Sequence, residues 1–553
     1  MPFAAFKADR ATVLYRSHDC ALTDQELIDE YAFSITGNGK GAVAKVFSAD
    51  RYGGSGMGEH GGSGRCGYDG RFQVKGIGAT PLVGGMSGEH HADGSLSFEF
   101  AYFELFWGNL LGQILPAGCV QNLALLGISG DGDALRQESY LLIREAAVRP
   151  AHFERAIYFA PLRDAAMHRA ADVRRVRELA RRIGDFLPTI DGASPPADDL
   201  LASGLSKLAT RVADQLACLR SQFLLHGLSS SNLAIDGRLI DFTSVTSLHP
   251  QAAYADAPFE AAWARLWSED RIFEQCLRSI CFYIAKYDPA RRAGIADVEQ
   301  YVLAEFRMAF SRALARYALC FAGIPLPIAC SMERDPVVIG WARTLFELIE
   351  AFHADSLRNA VRLARLGAGE FDFLGWTFDR FVHGGQPGAS ARHEMPDQEF
   401  ANGRHRDVYL LARYRAARNG LDARALDRLI ALNSAKFATV KMGFDFDTLR
   451  MHAADLGRHM DGTTDPHCLG ESLDALQRIA LPRFLYDDSV HRSTLSIAFG
   501  EARYDAAAHR VKWHGELLDP ADFPALVERQ AGAADARFPA AHSGAFWQRF
   551  LTI

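Results

Sequence analysis

The chain has 553 residues, 48% hydrophobic and 23% charged, which is ample apolar material for a large core and too much length for one small domain. Its 67 acidic and 60 basic side chains give a formal charge of -7 with no basic field, which excludes nucleic acid as an expected partner. The nine cysteines contain no C-x-x-C pair, so they suggest neither a disulfide framework nor a zinc cage and fit a reducing cytoplasm.

The first residues reach Lys7 and Asp9 before any apolar run develops, against a signal peptide. The most apolar stretch, from Ser97 to Ile128, is interrupted by Glu99, Glu104 and Asn109, which makes it a poor bilayer span. A cytoplasmic protein without membrane insertion is expected. Residues 1–160 alternate short apolar runs (AVAKVFSA, RFQVKGIG, QNLALLGI, SYLLIREAAV) with glycine clusters, the pattern of strands and turns. Between them, Ser95 to Leu115 is crowded with apolar side chains and predicts a buried helix of about five turns.

From residue 163 onward the apolar period becomes helical, predicting helices over 165–187, 204–225, 258–286, 297–321 and 337–365, with a proline-bearing loop over 188–199. This defines a mainly helical region, 161–383. Residues 384–403 carry few apolar side chains and several breakers and are the expected linker to a C-terminal unit, 404–553.

Three stretches carry chemistry. In GGSGR (Gly61 to Arg65), backbone amides at Gly62 and Gly64 are free of side chains and suit a polyphosphate, with Arg65 as a further donor; a surface hairpin also explains such glycines. RFQVKGIG places Lys75 inside an apolar strand, where it is either an edge-strand lysine or a phosphate ligand paired with Glu104 or Glu99 of the following helix. Sheet lysine with helix glutamate is the kinase-type arrangement. In FLLHGLSSSNLAIDGRLIDF, a helix end, a polar loop and an Asp-Gly turn bring Asn232 and Asp241 to the ends of a short hairpin, where oxygen ligands suit Mg²⁺; a turn cap and a solvated strand end are the plain alternatives. His90-His91 and His393-Glu394 read as polar loop.

In this order the segments resemble the selenoprotein-O family of adenylyl-transferring pseudokinases, over about Tyr52 to Asp241. YGGSGMG (52–58), GSGR (62–65) and above all VKGIGATP (74–81) are similar to the family's Y-A-G-H-Q-F-G, G-D-G-R and L-K-G-A-G-x-T-P. The resemblance implies that Lys75 meets the nucleotide phosphates, that Glu104 rather than Glu99 pairs with it, and that Asp93 and Gly94 match part of a second G-D-G-R. REAAVRPAHFE (144–154) resembles a motif whose arginines grip phosphate, which implies that role for Arg144 and Arg149. HGLSSSN (226–232) and IDF (240–242) resemble the metal-binding stretches, which implies Asn232 and Asp241 as ligands of Mg²⁺ or Mn²⁺.

The chain departs from the family at three places: Ser231 stands where the catalytic base, an aspartate, is expected; Phe242-Thr243 replaces the glycine after the metal aspartate; and the C-terminal selenocysteine or cysteine motif is missing. The resemblance implies an α+β, protein-kinase-like bilobal fold with a helical C-terminal extension. It further implies ATP as ligand and AMP transfer to a protein or peptide acceptor, either a hydroxyl or, since Ser231 is no base, a carboxylate activated in maturing a peptide or natural product. The alternative is a catalytically silent pseudokinase that binds nucleotide and acts as a scaffold.

Overall fold

The computed structural model describes residues 1–36, 43–54, 57–85, 93–129, 139–160, 165–189, 197–248, 257–354, 398–438, 444–460, 468–497, 500–513, 515–520 and 522. The fold is mixed α+β. Its N-terminal part is an eight-stranded antiparallel sheet of β1 (Pro2–Lys7), β2 (Arg10–Arg16), β3 (Phe33–Ser34), β4 (Ala44–Ser48), β5 (Cys66–Tyr68), β6 (Phe72–Lys75), β7 (Asn122–Ser129) and β8 (Ser139–Glu145), in the order β2-β7-β8-β6-β5-β4-β1-β3. β6 is therefore central, with Lys75 opposite Cys66 on one side and Leu142 on the other, and Gln73 opposite Arg144. Lys75 is not an edge-strand lysine.

Helix α1 (Asp24–Tyr31) starts at a capping box in which Thr23 and Glu26 satisfy each other's backbone amides. Helix α2 (Phe98–Ile114) starts at Ser97, whose hydroxyl accepts from the Phe100 amide at 3.3 Å. An unbroken buried run from Ala101 to Gly108 means that α2 has no solvent face over those turns. One side lies on β7 and β8. At Gly108 the backbone comes so close that a Cβ would sit 2.5 Å from the Asn122 amide nitrogen.

The helical region holds α3 (Ala165–Arg181), α4 (Ala197–Ser221), α5 (Ala257–Leu266), α6 (Glu269–Tyr287), α7 (Ile295–Phe321), α8 (Leu326–Met332) and α9 (Pro336–Ala354), with α4 and α7 packed along one another. The helix expected over 258–286 is thus two helices. The one expected to reach 225 stops at Ser221, because Phe223 takes a left-handed φ of 53° and the chain enters β9 (Leu224–Leu225), paired with β10 (Thr246–Ser247). Of the expected 188–199 loop, residues 190–196 lie outside the described residues and 197–199 open α4. Residues 355–365 of the last expected helix also lie outside them, as do His90-His91 and His393-Glu394.

The linker expected at 384–403 is corrected at its end: 398–403 already belong to α10 (Gln398–Arg418), while 384–397 lie outside the described residues. After α10 come α11 (Ala423–Ala438), α12 (Phe446–Met460) and α13 (Cys468–Phe484), then a meander of β11 (Arg492–Ile497), β12 (Gly500–Asp505), β13 (Arg510–Trp513) and β14 (Glu516–Leu518). The extension is therefore helical and β, not helical alone. The alternation that makes the meander is plain in β13, where buried Val511 and Trp513 alternate with exposed Arg510 and Lys512.

These C-terminal elements cover the second side of α2. Phe444 stacks on Phe106, with ring centroids 5.9 Å apart, and meets Phe484 at 5.6 Å; Phe446 meets Phe103 at 5.0 Å and Phe484 meets Trp107 at 6.3 Å. No helix among the described residues is long and apolar enough to cross a membrane.

Because Phe444 is fully buried between two rings, Phe444→Ala is expected to cost about 3–5 kcal/mol of stability by urea denaturation. A loss below about 1 kcal/mol would show that the C-terminal elements rest on α2 without depending on it.

Candidate functional site

A lysine ammonium taken out of water needs anionic partners, and Lys75 has two. Its Nζ donates to Glu104 Oε1 at 2.5 Å and to Asp241 Oδ1 at 2.7 Å. Lys75 is 3% exposed and Glu104 0%, so the pair has essentially no water. Glu104 is fixed from α2, where the Asn122 side chain donates to its carbonyl at 2.7 Å, and its Oε1 also accepts from the Phe242 amide at 3.2 Å. Glu99, the other expected partner, is in the first turn of α2 and half-buried.

Asp241 is held by three cations. Arg144 Nη1 reaches its Oδ1 at 2.9 Å and Arg149 Nη1 its Oδ2 at 2.7 Å. Burial pushes this carboxyl up, but Arg144, Lys75 and Arg149 together overcome that and hold it well below the usual carboxylate range. Asp241 has a left-handed φ of 66°, a conformation aspartate tolerates better than most residues and one that a closing network can impose. Its hairpin is real: Leu233 bridges Leu239, the Ile240 amide donates to Asn232 O at 3.2 Å, and Gly237 makes the turn at φ 93°.

The arginines are positioned by groups that the sequence analysis did not single out. Arg144 Nε donates to Gln73 Oε1 at 2.9 Å, and Gln73 in turn donates to Asp50 at 3.2 Å. A polar residue two places before Lys75 shares its face of the strand, and that was the available signal. Arg149 Nη1 also donates to the Ser231 carbonyl, and its guanidinium stacks over Tyr52 at 5.2 Å. Nε and Nη2 of Arg149 have no hydrogen-bond partner among the described residues although the side chain is buried.

The loop 226–232 is clamped from below by Glu269, the first residue of α6, whose carboxylate accepts from the amides of Gly227 and Leu228, each at 2.8 Å. Burial pushes this carboxyl up to about 7 against the pull of those two amides. Arg265 adds a bond to the Leu228 carbonyl at 3.0 Å. On the loop, Ser231 Oγ bonds to Ser229 Oγ at 2.9 Å, and the Asn232 side chain donates through Nδ2 to the Gly227 carbonyl at 3.1 Å.

The structure thus brings Lys75, Glu104, Arg144, Arg149 and Asp241 into one network and sets Ser231 and Asn232 beside it. The other expected residues stand apart. Gly62 bridges Arg51, with φ 143°, and Gly64 accepts from the Thr80 amide at 2.9 Å, so the glycine loop is laced into the sheet region rather than standing out as a hairpin. The Arg65 carbonyl accepts from Gly76 at 2.8 Å, and its half-buried side chain helps hold the Asp93 carboxyl below its ordinary value, after the Ser95 bonds. Asp93 caps its own turn by accepting from the Ser95 amide at 3.0 Å, and Gly94, at φ 69°, packs on Gly78.

Among the described residues no group of three or more His, Cys, Asp and Glu side chains could hold a metal ion. A metal at Asn232 and Asp241 would take two protein oxygens and complete its shell from phosphate and water, which is how Mg²⁺ is usually bound. Asp241 fits that use as the most exposed member of the network, at 20%, although both its oxygens are already in ion pairs. Compared with known proteins, the chain matches no family model and no curated protein.

Removing the Asp241 carboxylate would leave three buried cations with Glu104 as the one carboxylate in ion-pair contact with any of them among the described residues, so Asp241→Ala is expected to lower stability by about 3–5 kcal/mol. Chemical denaturation checks this, and an unchanged midpoint would mean that the cations find other partners.

A pH signature follows from His152, which accepts from the Arg149 amide at 2.9 Å. Burial, with Arg149 and Arg175, pushes its pKa down from 6.5 to about 3. A lowered folded-state value means that the folded protein binds fewer protons, so His152's contribution is complete above 6.5 and is lost as pH falls towards 3. The stability difference between wild type and His152→Gln is therefore expected to shrink between pH 7 and 4, as read from urea midpoints. A constant difference would refute it.

Proposed function

We propose that the chain is an ATP- and Mg²⁺- or Mn²⁺-dependent nucleotidyl transferase of the selenoprotein-O type on a protein-kinase-like bilobal scaffold. The observation that carries this reading is the buried lysine of a central strand, bonded to a glutamate of the following helix and to an aspartate from a hairpin of the helical region. A strand lysine, a helix glutamate and a metal-binding aspartate with an asparagine nearby are the recurring parts of kinase-type phosphoryl chemistry.

In this reading Lys75, Arg144 and Arg149 bind and orient the phosphates, and Glu104 keeps the lysine extended between α2 and the nucleotide. Asn232 and Asp241 hold the metal, which when bound neutralises phosphate charge. The phosphates take over the cations that Asp241 now holds. Charge neutralisation in a water-poor site and alignment of the reacting groups supply most of the rate. The group transferred is AMP, to a protein or peptide hydroxyl or to a carboxylate activated for ester or amide formation.

Two observations favour a second reading, a silent pseudokinase scaffold: Asp241 already satisfies the three cations, and Ser231 stands where the base is expected. Incubation with α-labelled and, separately, γ-labelled ATP plus Mg²⁺ or Mn²⁺ separates the two. Retained α-label that falls about 10²–10³-fold in Lys75→Ala is the expected result, on the scale of removing one preorganised electrostatic group. Retained γ-label alone would indicate a kinase; ATP-induced stabilisation without label would favour the scaffold.

A further inference from the structure

The nucleotide reading leaves unused a basic surface on α3 and α6. On a helix turning about 100° per residue, Arg174, Arg177 and Arg181 share one exposed stripe. The face beside it packs Val176 and Ala180, with Val173, against Tyr283 and Tyr287 of α6. The same period puts Arg177 and Arg181 on the flank next to that contact and Glu178 on the far flank. From α6 comes the exposed Lys286, whose Nζ stands 5.5 Å from the ring centroids of Phe282 and Tyr287, Phe282 being 55% exposed. Arg292, from the turn after α6, completes the surface and bonds the Ala285 carbonyl at 2.9 Å.

Helix ends account for part of this charge. Arg181 bonds the Tyr287 carbonyl at 3.3 Å and Arg291 bonds that of Arg181 at 3.3 Å, so both serve the C-terminal carbonyls of α3 and α6. Arg291 also pairs with Asp288, and Arg182 with Asp185. Arg174 and Arg177 lie before the last turn of α3, and no carboxylate among the described residues pairs with either of them, or with Arg181, Lys286 or Arg292. In a chain of formal charge -7, these cations give one ridge the sign opposite to the whole.

We propose that the ridge of α3 and α6 docks an acidic polypeptide segment that alternates carboxylates with apolar side chains; that this segment belongs to the acceptor rests on the nucleotide reading above. Guanidinium groups meet carboxylates in bidentate pairs, and Phe282 offers an apolar contact between them. The ridge leads towards the candidate site. Nine residues, about 14 Å of helix, separate Arg181 from Asp172, which with Arg175 holds the segment from His152 to Ala156 that follows Arg149. Ile157 and Tyr158 come next, 61% and 71% exposed, and extend the apolar contacts. A nucleic acid or a membrane surface is larger than the ridge and meets the acidic remainder of the chain as well, which disfavours both.

The test titrates the full chain into a fluorescein-labelled twelve-residue peptide that alternates glutamate with leucine and phenylalanine, read by anisotropy, with the same peptide carrying lysine for glutamate as control. The glutamate peptide is expected to bind, more weakly as salt is raised, and the lysine peptide not to bind. The triple variant Arg174→Glu, Arg177→Glu, Lys286→Glu is expected to lose about 10–100-fold in affinity, the scale of several exposed charge pairs acting together. An unchanged melting temperature shows that the variant folds; should it not, the triple glutamine variant at the same positions is read instead, with an expected loss of about 3–10-fold. No binding of the glutamate peptide, or equal binding by wild type and variant, overturns the docking surface. Phosphatidylserine vesicles or oligothymidylate bound more tightly than the peptide, and through the same residues, overturn the choice of partner. A wild type that binds the peptide but whose melting temperature ATP does not raise overturns the nucleotide reading and the acceptor's role, and leaves the docking surface standing.

Discussion

Lys75 is a cation on a central strand, and much of the N-terminal half is arranged so that it can be there. An ammonium group with almost no water costs several kcal/mol unless carboxylates meet it at close range. Glu104 comes from α2 and Asp241 from the hairpin after Gly237, so one charge ties together the sheet, a helix and the helical region. The arginines extend the same logic: each is buried, each bonds Asp241, and each is oriented by a further group, Gln73 for Arg144 and the Ser231 carbonyl for Arg149. In a low-dielectric interior such a network is strong when complete and costly when one member is removed, which makes it a device for fixing geometry more than for adding stability.

Around the network, three chain segments are sewn to one another by backbone bonds. Gly53 donates to the Ala151 carbonyl, Ala151 to the Ser230 carbonyl, and Ile235 to the Val148 carbonyl. Arg175 and Asp172 of α3 hold the middle segment from outside, Arg175 on the carbonyls of His152 and Glu154, Asp172 on Arg155 and the Ala156 amide. The glycines at 53 and 54 matter here for approach rather than for flexibility, since a Cβ at Gly53 would stand 2.1 Å from the Arg155 carbonyl carbon. Sequence order hides this weave completely, because its partners are about 75–100 residues apart.

What the sequence made legible follows the range of the physics involved. The strands 72–75, 122–129 and 139–145, the buried helix bearing Glu104 and the long helices of the middle region rest on local periodicity, and so does the 232–241 hairpin with its Asp-Gly turn. Lys75 betrayed itself as a charge in an apolar strand, and Glu104 as the carboxylate in the next apolar helix. Asp241 as a partner of Lys75 was not foreseen, nor were Gln73, Asn122, Glu154 and Glu269, because polar side chains in apolar surroundings reveal that a partner is needed but not which one. The break after Ser221 depends on a left-handed Phe223, which no propensity favours, and the start of α10 inside a breaker-rich stretch overrides composition.

The C-terminal elements bear on the same site through α2. That helix carries Glu104 towards Lys75 while Phe103, Phe106 and Trp107 are packed by Phe446, Phe444 and Phe484. A side chain bonded at 2.5 Å tolerates little displacement, and close-packed aromatic contacts resist sliding. The orientation of the glutamate is therefore fixed jointly by the sheet it faces and by residues more than 300 positions later in the chain. Covering α2 on both sides explains why its sequence is apolar all round except for the one carboxylate the network uses, Asn109, which donates to the Tyr15 hydroxyl, and the residues at its ends. It also makes the C-terminal unit part of the architecture of the Lys75–Glu104 pair rather than an appendage to it.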